Sequence, residues 1–340
     1  MMSQLCQLLD IEVPIIQAPI GNASSPELVA AVCESGALGM LSVTWRSLAD
    51  VRRVIREVRE RTARPFGVNL VLQWPQEERL DVCLEEGARI VSFFWGDPRP
   101  YIDRVHQAGG HVMHTVGSAA EARRRVDDGA DVIVAQGFEA GGHVWGQVST
   151  MALVPAVADV AGPVPVVAAG GISDARGIAA AMALGAAGAW MGTRFVATLE
   201  SAAHPAYKRA VLEAVETDTV YTHTFDGGWP GAPHRVLRNP TVTRSESGAA
   251  GTAGRPGEGE VIGHYAGGAP VLRYGADEPL AGMDGEVGAM ALYAGESAAL
   301  VHDVPAAASL VRDLVSQSRE ALAQALTRIP EGSAGGPAGR

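Results

Sequence analysis

The chain consists of short apolar runs that alternate with longer segments whose apolar residues recur at helical spacing. The apolar runs are rich in branched residues, which is typical of strands that a parallel sheet buries on both faces. Helices between such strands supply the crossover connections that parallel pairing needs. The pattern predicts eight strands, at residues 13–17, 37–43, 66–72, 89–94, 111–116, 131–135, 164–169 and 188–191.

The segments between these strands carry the signals of helices with one buried face. Ser25 followed by Pro26 is an N-cap with proline at the first helical position. Eight strand–helix units in roughly 200–250 residues favour an α/β fold, a (β/α)8 TIM barrel, over an open doubly wound sheet whose eighth strand would be an edge. In residues 47–61 the stripe expected to be buried consists of Leu48, Val51, Val54, Ile55 and Val58.

The alternation stops after Val215, and residues 219–296 are irregular and rich in glycine, proline, threonine and arginine. Such a composition rarely forms a core alone, and long loops in compact enzymes commonly serve as lids. We expect residues 1–218, completed by helices within 297–328, to form the barrel, with 219–296 inserted as a lid over its mouth. Residues 329–340 are expected to be a disordered tail. The lid's candidates for substrate contact are Trp229, His234 and Tyr293.

Composition narrows the possible functions. The chain has 340 residues, 47% of them hydrophobic, and a net charge of −11 without a run of lysine or arginine, which argues against nucleic acid or a membrane surface as partner. Residues 178–192, the only long apolar stretch, are too short for a membrane span. Nine histidines and three cysteines show no metal-ligand spacing. Unpaired cysteines and the lack of an export leader predict a cytoplasmic protein.

In a barrel of this kind the carboxyl ends of the strands carry the chemistry. The seventh predicted strand ends at Gly170 and Gly171, and the eighth is followed by Gly192 and Thr193. Glycine amides, a threonine hydroxyl and a helix start are the donors that hold a phosphate in many barrels. The two loops together therefore predict a phosphate site, although each alone could be an ordinary turn. Arg194 is expected to cap the barrel rim.

The loop after the sixth predicted strand, QGFEAGGH, contains a histidine suited to proton transfer. His143 follows two glycines that let the backbone approach a flat ligand, and its alternative role is to cap a turn. The amides of Asn69 and Gln136 suit the edge of a flavin or a similar heterocycle, or they satisfy loop backbone. No G-x-G-x-x-G follows the first strand, so a dinucleotide site is not indicated.

The motifs QAPI, GVNL, QGFEAGGH, VVAAGGI and ALGAAGAWMGTRF, in this order, resemble the nitronate monooxygenase family, formerly called 2-nitropropane dioxygenases. The resemblance covers about residues 13–201 and continues more loosely through RVLRN and ALYAGES. It implies an FMN-binding barrel in which His143 is the catalytic base. The residues then expected to bind the FMN phosphate are Gly170, Gly171, Gly192 and Thr193. Those expected to contact the rest of the cofactor are Asn69, Gln136, Gly141 and Met191.

Flavin-dependent enoyl-acyl-carrier-protein reductases and NADH:quinone reductases share these motifs, so three functions stay open. The first is FMN-dependent oxidation of a small alkyl nitronate or nitroalkane by dioxygen, giving a carbonyl product and nitrite. The second is an NAD(P)H reductase acting on an enoyl thioester or quinone. The third is a barrel that binds a phosphate ligand without redox chemistry. Trp145 favours the first, because it could cover the substrate side of the flavin. A homo-oligomer is compatible with the sequence.

Overall fold

The computed structural model of the chain describes residues 3–247 and 254–329. Eight parallel strands close into a barrel in chain order. The first strand pairs with the eighth, Ile16 opposite Trp190, so no barrel strand is an edge. This confirms the (β/α)8 barrel and excludes the open sheet. The strands are β1 (Ile15–Gln17), β2 (Leu38–Ser42), β3 (Gly67–Val71), β4 (Ile90–Phe94), β5 (His111–Val116), β6 (Val132–Gln136), β7 (Val166–Ala169) and β8 (Gly188–Met191).

The observed strands agree with the eight predicted ones to within two residues at either end. The largest differences are at β1 and β7, which begin directly after Pro14 and Pro165. Proline has no N–H to donate to a strand ladder, so these strands begin later than their apolar runs. The alternation of apolar runs and helical segments was therefore sufficient to place the barrel strands.

The helices surround the barrel and continue into the inserted segment. Short 3-10 turns lie at Gly21–Ala23, Val287–Ala289 and Glu296–Leu300. The α-helices are α1 (Gln4–Leu9), α2 (Pro26–Glu34), α3 (Leu48–Arg61), α4 (Glu77–Glu85), α5 (Arg99–Gln107), α6 (Ala119–Asp127), α7 (Thr150–Ala161), α8 (Ala175–Ala183), α9 (Thr193–Val196), α10 (Pro205–Glu213), α11 (Pro240–Glu246) and α12 (Ala307–Arg328).

Helix α3 shows how a cap and a stripe define a helix in this fold. The Ser47 hydroxyl accepts a hydrogen bond from the Asp50 N–H at 3.1 Å, which satisfies one of the free donors at the helix start. The predicted stripe is buried from Val51 to Val58. The prediction was wrong for Leu48, which is 37% exposed because it lies in the first turn, before the buried positions begin.

The core has two layers, one between the strands and the helices and one inside the barrel. Helix α1 closes the amino end of the barrel, because its Leu5, Cys6 and Leu9 belong to the same buried cluster as Met40 and Met113. The three cysteines are buried and unpaired, as expected. The open mouth is therefore at the carboxyl ends of the strands.

The inserted segment forms two small antiparallel sheets. In the first, Thr219–Thr222 and His234–Leu237 extend a two-residue strand, Gly142–His143, from the barrel loop after β6. In the second, Val261–His264 pairs with Pro270–Leu272 and Asp284–Gly285. We expected no core in this segment, yet each sheet has its own small apolar cluster. Pairing with a barrel loop supplies the support that the composition alone does not. Residues 248–253 of the insert lie outside the described residues.

The chain returns to the barrel after the insert. Helix α12 begins two residues after Pro305, within the range 297–328 where helices were predicted, and packs against α2 and α8. Of the predicted tail, residues 330–340 lie outside the described residues. Within residues 3–247 and 254–329, no helix has both the length and the apolar character needed to cross a membrane.

Candidate active site

A cavity of about 360 Å³ opens at the carboxyl end of the barrel. Barrel loops form one part of its lining, and the inserted segment contributes Trp229, Glu278 and Tyr293. The structure brings every predicted site residue except Met191 to this cavity: Asn69, Gln136, Gly141, His143, Gly170, Gly171, Gly192 and Thr193.

The two glycine loops after β7 and β8 meet at one end of the cavity. Gly170 and Gly171 have φ values of 95° and 69°, in the left-handed region that glycine adopts without strain. A Cβ atom on Gly170 would lie 2.9 Å from the carbonyl oxygen of Gly137, so the β6 and β7 loops touch here through backbone. Asp174 accepts hydrogen bonds from the first turn of α8 and fixes where that helix begins.

Backbone donors are left free at this end. The N–H groups of Gly171, Gly192 and Thr193 donate to no acceptor in the part of the chain that the structure describes. The Thr193 hydroxyl accepts from the N–H of Gly295 at 3.0 Å, which ties the inserted segment to the β8 loop. Buried or half-buried N–H groups without partners are rare in folded proteins, and converging amides bind anions. The loops therefore fit a phosphate.

Asn69 and Gln136 have different roles. The Asn69 side chain is 6% exposed, lines the cavity and makes no hydrogen bond with a described residue, so its amide is available to a ligand. Gln136 is already engaged: its Nε2 donates to the His143 carbonyl at 3.0 Å, and its Oε1 accepts from the Trp145 N–H at 2.9 Å. Gln136 mainly fixes the loop backbone and keeps one amide hydrogen for a ligand.

His143 is held by its backbone and by ring stacking. Gly142–His143 pairs antiparallel with His234 and Arg235 of the insert. The imidazole stacks on Trp229 with the ring centroids 4.1 Å apart and the planes 28° from parallel. Its Nε2 atom is buried and has no hydrogen-bond partner among the described residues. Stacking, rather than a hydrogen-bonded carboxylate, therefore orients this ring.

The surroundings of His143 keep it neutral. Burial lowers the pKa of His143 to about 3, with a smaller contribution from nearby His234. The ring of His234 is itself buried, donates from Nδ1 to the Ala232 carbonyl and accepts the Phe225 N–H at Nε2. Burial lowers the pKa of His234 to about 4. Both imidazoles are thus uncharged near neutral pH, and His143 has a free lone pair.

The remaining candidates lie around this centre. The Met191 side chain is buried between strands and helices rather than in the cavity. Arg194 pairs with Asp303 at 2.5 Å, away from the cavity lining, as its predicted place at the rim requires. Trp145 is 37% exposed at the mouth, and its indole N–H donates to Glu121 at 2.7 Å.

Glu278 is a cavity residue that the sequence did not indicate. Its carboxylate accepts the backbone N–H of Asn22, which is 256 residues away in the chain, and burial raises the pKa of Glu278 to about 7. The contact fastens the insert to the loop after β1. No local pattern could have shown it, because it depends on packing between distant segments. The described residues contain no group of three or more His, Cys, Asp or Glu side chains that could hold a metal ion.

A family model described as nitronate monooxygenase matches residues 2–78 and 74–317. A nitronate monooxygenase from Paraburkholderia phytofirmans is 33% identical, with 96% of each chain covered. A relative from Mycobacterium tuberculosis is 40% identical over 72% of this chain and 68% of its own length. It is named as (3aS,4S,5R,7aS)-5-hydroxy-7a-methyl-1-oxo-octahydro-1H-indene-4-carboxyl-CoA dehydrogenase.

Two solved structures share the whole fold. The M276A mutant of FabK from Thermotoga maritima is 34% identical with a TM-score of 0.81, covering 97% of this chain and 100% of its own. Nitroalkane oxidase from Streptomyces ansochromogenes is 30% identical with a TM-score of 0.77, covering 95% and 99%. The similarity therefore includes the insert as well as the barrel.

Replacing Trp229 with alanine should raise the pKa of His143 from about 3 toward its ordinary value of 6.5. The whole shift, to which burial contributes most, corresponds to about 5 kcal/mol, whereas a cation–π contact from the indole to the protonated ring is worth about 2 kcal/mol. Water admitted to Nε2 should therefore outweigh the lost contact. NMR titration of the His143 ring protons measures the change.

The matched control is Trp229→Phe, which keeps an aromatic face over the imidazole and should keep the pKa low. A His143→Gln variant identifies the signal among the nine histidines. If the pKa in Trp229→Ala stays where it is in the parent, Trp229 is not what shields the ring.

Proposed function

The chain belongs to the nitronate monooxygenase family, and on this premise we propose that it oxidises alkyl nitronates or nitroalkanes with dioxygen, giving a carbonyl product and nitrite. One observation carries the proposal: a neutral imidazole, His143, without a hydrogen-bond partner at Nε2 among the described residues, lines the same cavity as free backbone N–H groups. This pairs a base for an acidic C–H with a site for a phosphate-bearing cofactor.

FMN is the cofactor that we propose for the cavity. The free N–H groups of Gly171, Gly192 and Thr193 would bind its phosphate, with the Gly170 backbone beside them. The unpartnered amide of Asn69 would contact the polar edge of the flavin ring. One pair of phosphate-sized loops, and a sequence without a dinucleotide fingerprint, favour FMN over FAD. The backbone of Gly141 and the remaining amide hydrogen of Gln136 would complete these contacts.

The reaction needs a carbon anion next to a nitro group. His143, neutral near physiological pH, would accept the α-proton of a neutral nitroalkane, whereas a nitronate has already lost that proton. FMN held by the glycine loops after β7 and β8 would supply an acceptor for the electrons of the anion, with dioxygen as the final oxidant. The stack with Trp229 would hold the imidazole in place while the proton moves.

We propose that residues 219–296 act as a lid on a barrel formed by residues 1–218 and helices within 297–328. The support is that Trp229, Glu278 and Tyr293 line the cavity, and that the insert strand His234–Leu237 pairs with Gly142–His143. A lid that excludes water would protect a reactive anion. A small-molecule substrate and dioxygen are the proposed partners, and the unpaired cysteines favour a cytoplasmic location.

A second candidate function has specific support. The 40% identical relative from Mycobacterium tuberculosis is named as the dehydrogenase of a CoA thioester. In that reaction, or in an FMN-dependent NAD(P)H reduction of an enoyl thioester or quinone, His143 would transfer a proton at a carbonyl-activated carbon. Membership of an oxidoreductase family argues against a barrel that binds a phosphate ligand without redox chemistry.

Anaerobic mixing of the flavin-loaded enzyme with the nitronate of nitroethane should bleach the flavin, because the substrate anion delivers its electrons and no dioxygen takes them up. NADPH should leave the spectrum unchanged. Stopped-flow absorbance in the visible range measures both. If NADPH or a saturated acyl-CoA bleached the flavin and the nitronate did not, the result would contradict the nitronate oxidation and support the second candidate function.

Gly171→Asp should abolish flavin binding, because a carboxylate on this loop would repel the phosphate. The nearest atom to a Cβ at Gly171 is 3.6 Å away, so the effect would not come from a clash with the protein. Flavin absorbance per mole of purified protein measures the loss. Gly109→Asp is the matched control, with φ of 73° and no atom within 4 Å of its Cβ, at the end of α5. Full flavin content in Gly171→Asp would refute the phosphate assignment.

His143→Ala should retain FMN and lose about 10² to 10⁴ in rate on a neutral nitroalkane, which is the usual contribution of a positioned base. With a preformed nitronate the loss should be much smaller, since no proton remains to be removed. Steady-state kinetics on nitroethane and on its nitronate make the comparison. Equal losses on both forms would mean that His143 only orders the loop.

A further inference from the structure

Five of the six tryptophans of the chain gather at the mouth of the cavity. Four come from the loops after β2, β3, β4 and β6, and the fifth comes from the insert. Trp229 is the centre, with ring centroids 5.9, 5.4 and 4.9 Å from three of the others. We call this group the aromatic wall: Trp45, Trp74, Trp95, Trp145 and Trp229.

The wall is held in place at a conformational cost. The backbone of Trp95 has a φ of 66°, in the left-handed region that residues other than glycine rarely adopt. This conformation costs about 1–2 kcal/mol. Such strain tends to occur at functional sites, where the surrounding structure maintains it. Here it places the Trp95 indole between Trp145, at 4.5 Å, and Trp229, at 4.9 Å.

The wall also leaves apolar ring surface uncovered. Trp45 is 54% exposed although it contacts Trp74 and Trp229, and Trp145 is 37% exposed. A tryptophan in a core would bury far more of its surface. Exposed aromatic surface beside a cavity marks a place where an apolar group binds.

The wall adjoins the imidazole and is built from other loops than those that carry the free amides. Trp45 and Trp229 line the same cavity as His143, and Trp229 stacks on that ring. The loops after β3 and β4 lie across the closed barrel from those after β7 and β8, which carry the free amides, and the loop after β2 is separated from the β8 loop by β1. A substrate whose reacting carbon lies at His143 would therefore extend its substituent along the wall.

Charge excludes an anionic tail here. Among the described residues that line the cavity, Arg46 is the one arginine. Its guanidinium donates to the Ser42 carbonyl at 3.0 Å and pairs with Asp50 at 2.8 Å. It has an ionic partner within the chain. Asp277 and Glu278 add acidic groups to the lining. Uncharged substituents fit this environment, whereas a string of phosphates does not.

We propose that the aromatic wall is a subsite for an uncharged, ring-bearing substituent on the carbon that reacts. This rests on the proposed function and deepens it: the preferred substrates are arylalkyl nitro compounds and their nitronates, rather than the smallest nitroalkanes. Trp45 is the residue whose exposed face would contact the ring, and Trp229 would position it beside His143.

The test compares kcat/KM for the nitronates of 2-phenyl-1-nitroethane and nitroethane. The parent should prefer the phenyl substrate by tenfold or more, since an aromatic pair contributes about 0.5–1.5 kcal/mol beyond the area it buries. Trp45→Ala should lower that preference about tenfold. Leu326→Ala is the control, because it removes a large apolar side chain that is 71% exposed on α12, far from the cavity. A parent without the preference, or a Trp45→Ala variant that keeps it, would overturn the proposal.

A binding measurement separates this proposal from the proposed function. Calorimetric titration of the flavin-loaded enzyme with 2-phenylethanol, which carries the ring and no nitro group, should show binding that ethanol does not. Trp45→Ala should weaken it and Leu326→Ala should not. If no nitro compound is turned over, but 2-phenylethanol binds to the parent and more weakly to Trp45→Ala, the proposed nitronate oxidation is wrong and the ring subsite is supported. If 2-phenylethanol does not bind to the parent, the wall is not a ring subsite.

Discussion

The site depends on how firmly the backbone of residues 136–146 is held. On one side Gly142–His143 pairs with the insert, and on the other the Gln136 amide bridges the His143 carbonyl and the Trp145 N–H. Each of these hydrogen bonds contributes about 0.5–1.5 kcal/mol, and together they limit the freedom of the backbone. Among the described residues, the Nε2 atom of the His143 imidazole has no hydrogen-bond partner. The backbone contacts fix the position of the ring, and its Nε2 atom remains available to a ligand.

The absence of a partner at Nε2 among the described residues has a consequence for acidity. A carboxylate would orient the ring but would also favour its protonated form. Trp229 orients the ring by stacking while contributing to the burial that lowers the pKa of His143 to about 3. His234 can adjoin it without a fixed charge because burial also lowers the pKa of His234, to about 4. An apolar support thus keeps the imidazole neutral at the expense of its basicity.

The sequence was most informative where structure is local. The barrel strands follow from their apolar runs, helix α3 from its stripe and the Ser47 cap, and the Gly170 and Thr193 loops from their place at strand ends. What could not be predicted depends on distant pairing. The stack of Trp229 on His143 and the bond from Asn22 to Glu278 join segments far apart in the chain. Gln136 shows where prediction from the sequence ends. Its residue type allowed two roles, and only the geometry showed that its amide holds the loop.

The insert contacts both Thr193 and His143, which would make the proposed cofactor and substrate sites interdependent. The Gly295 N–H donates to the Thr193 hydroxyl in the loop proposed to bind phosphate, and Trp229 stacks on His143. The strand His234–Leu237 connects to the loop between them. A displacement of the insert would therefore free the Thr193 hydroxyl oxygen, uncover the His143 ring and loosen the loop together. Such coupling would follow from the strand pairing, because the insert strand His234–Leu237 pairs with the loop that carries His143.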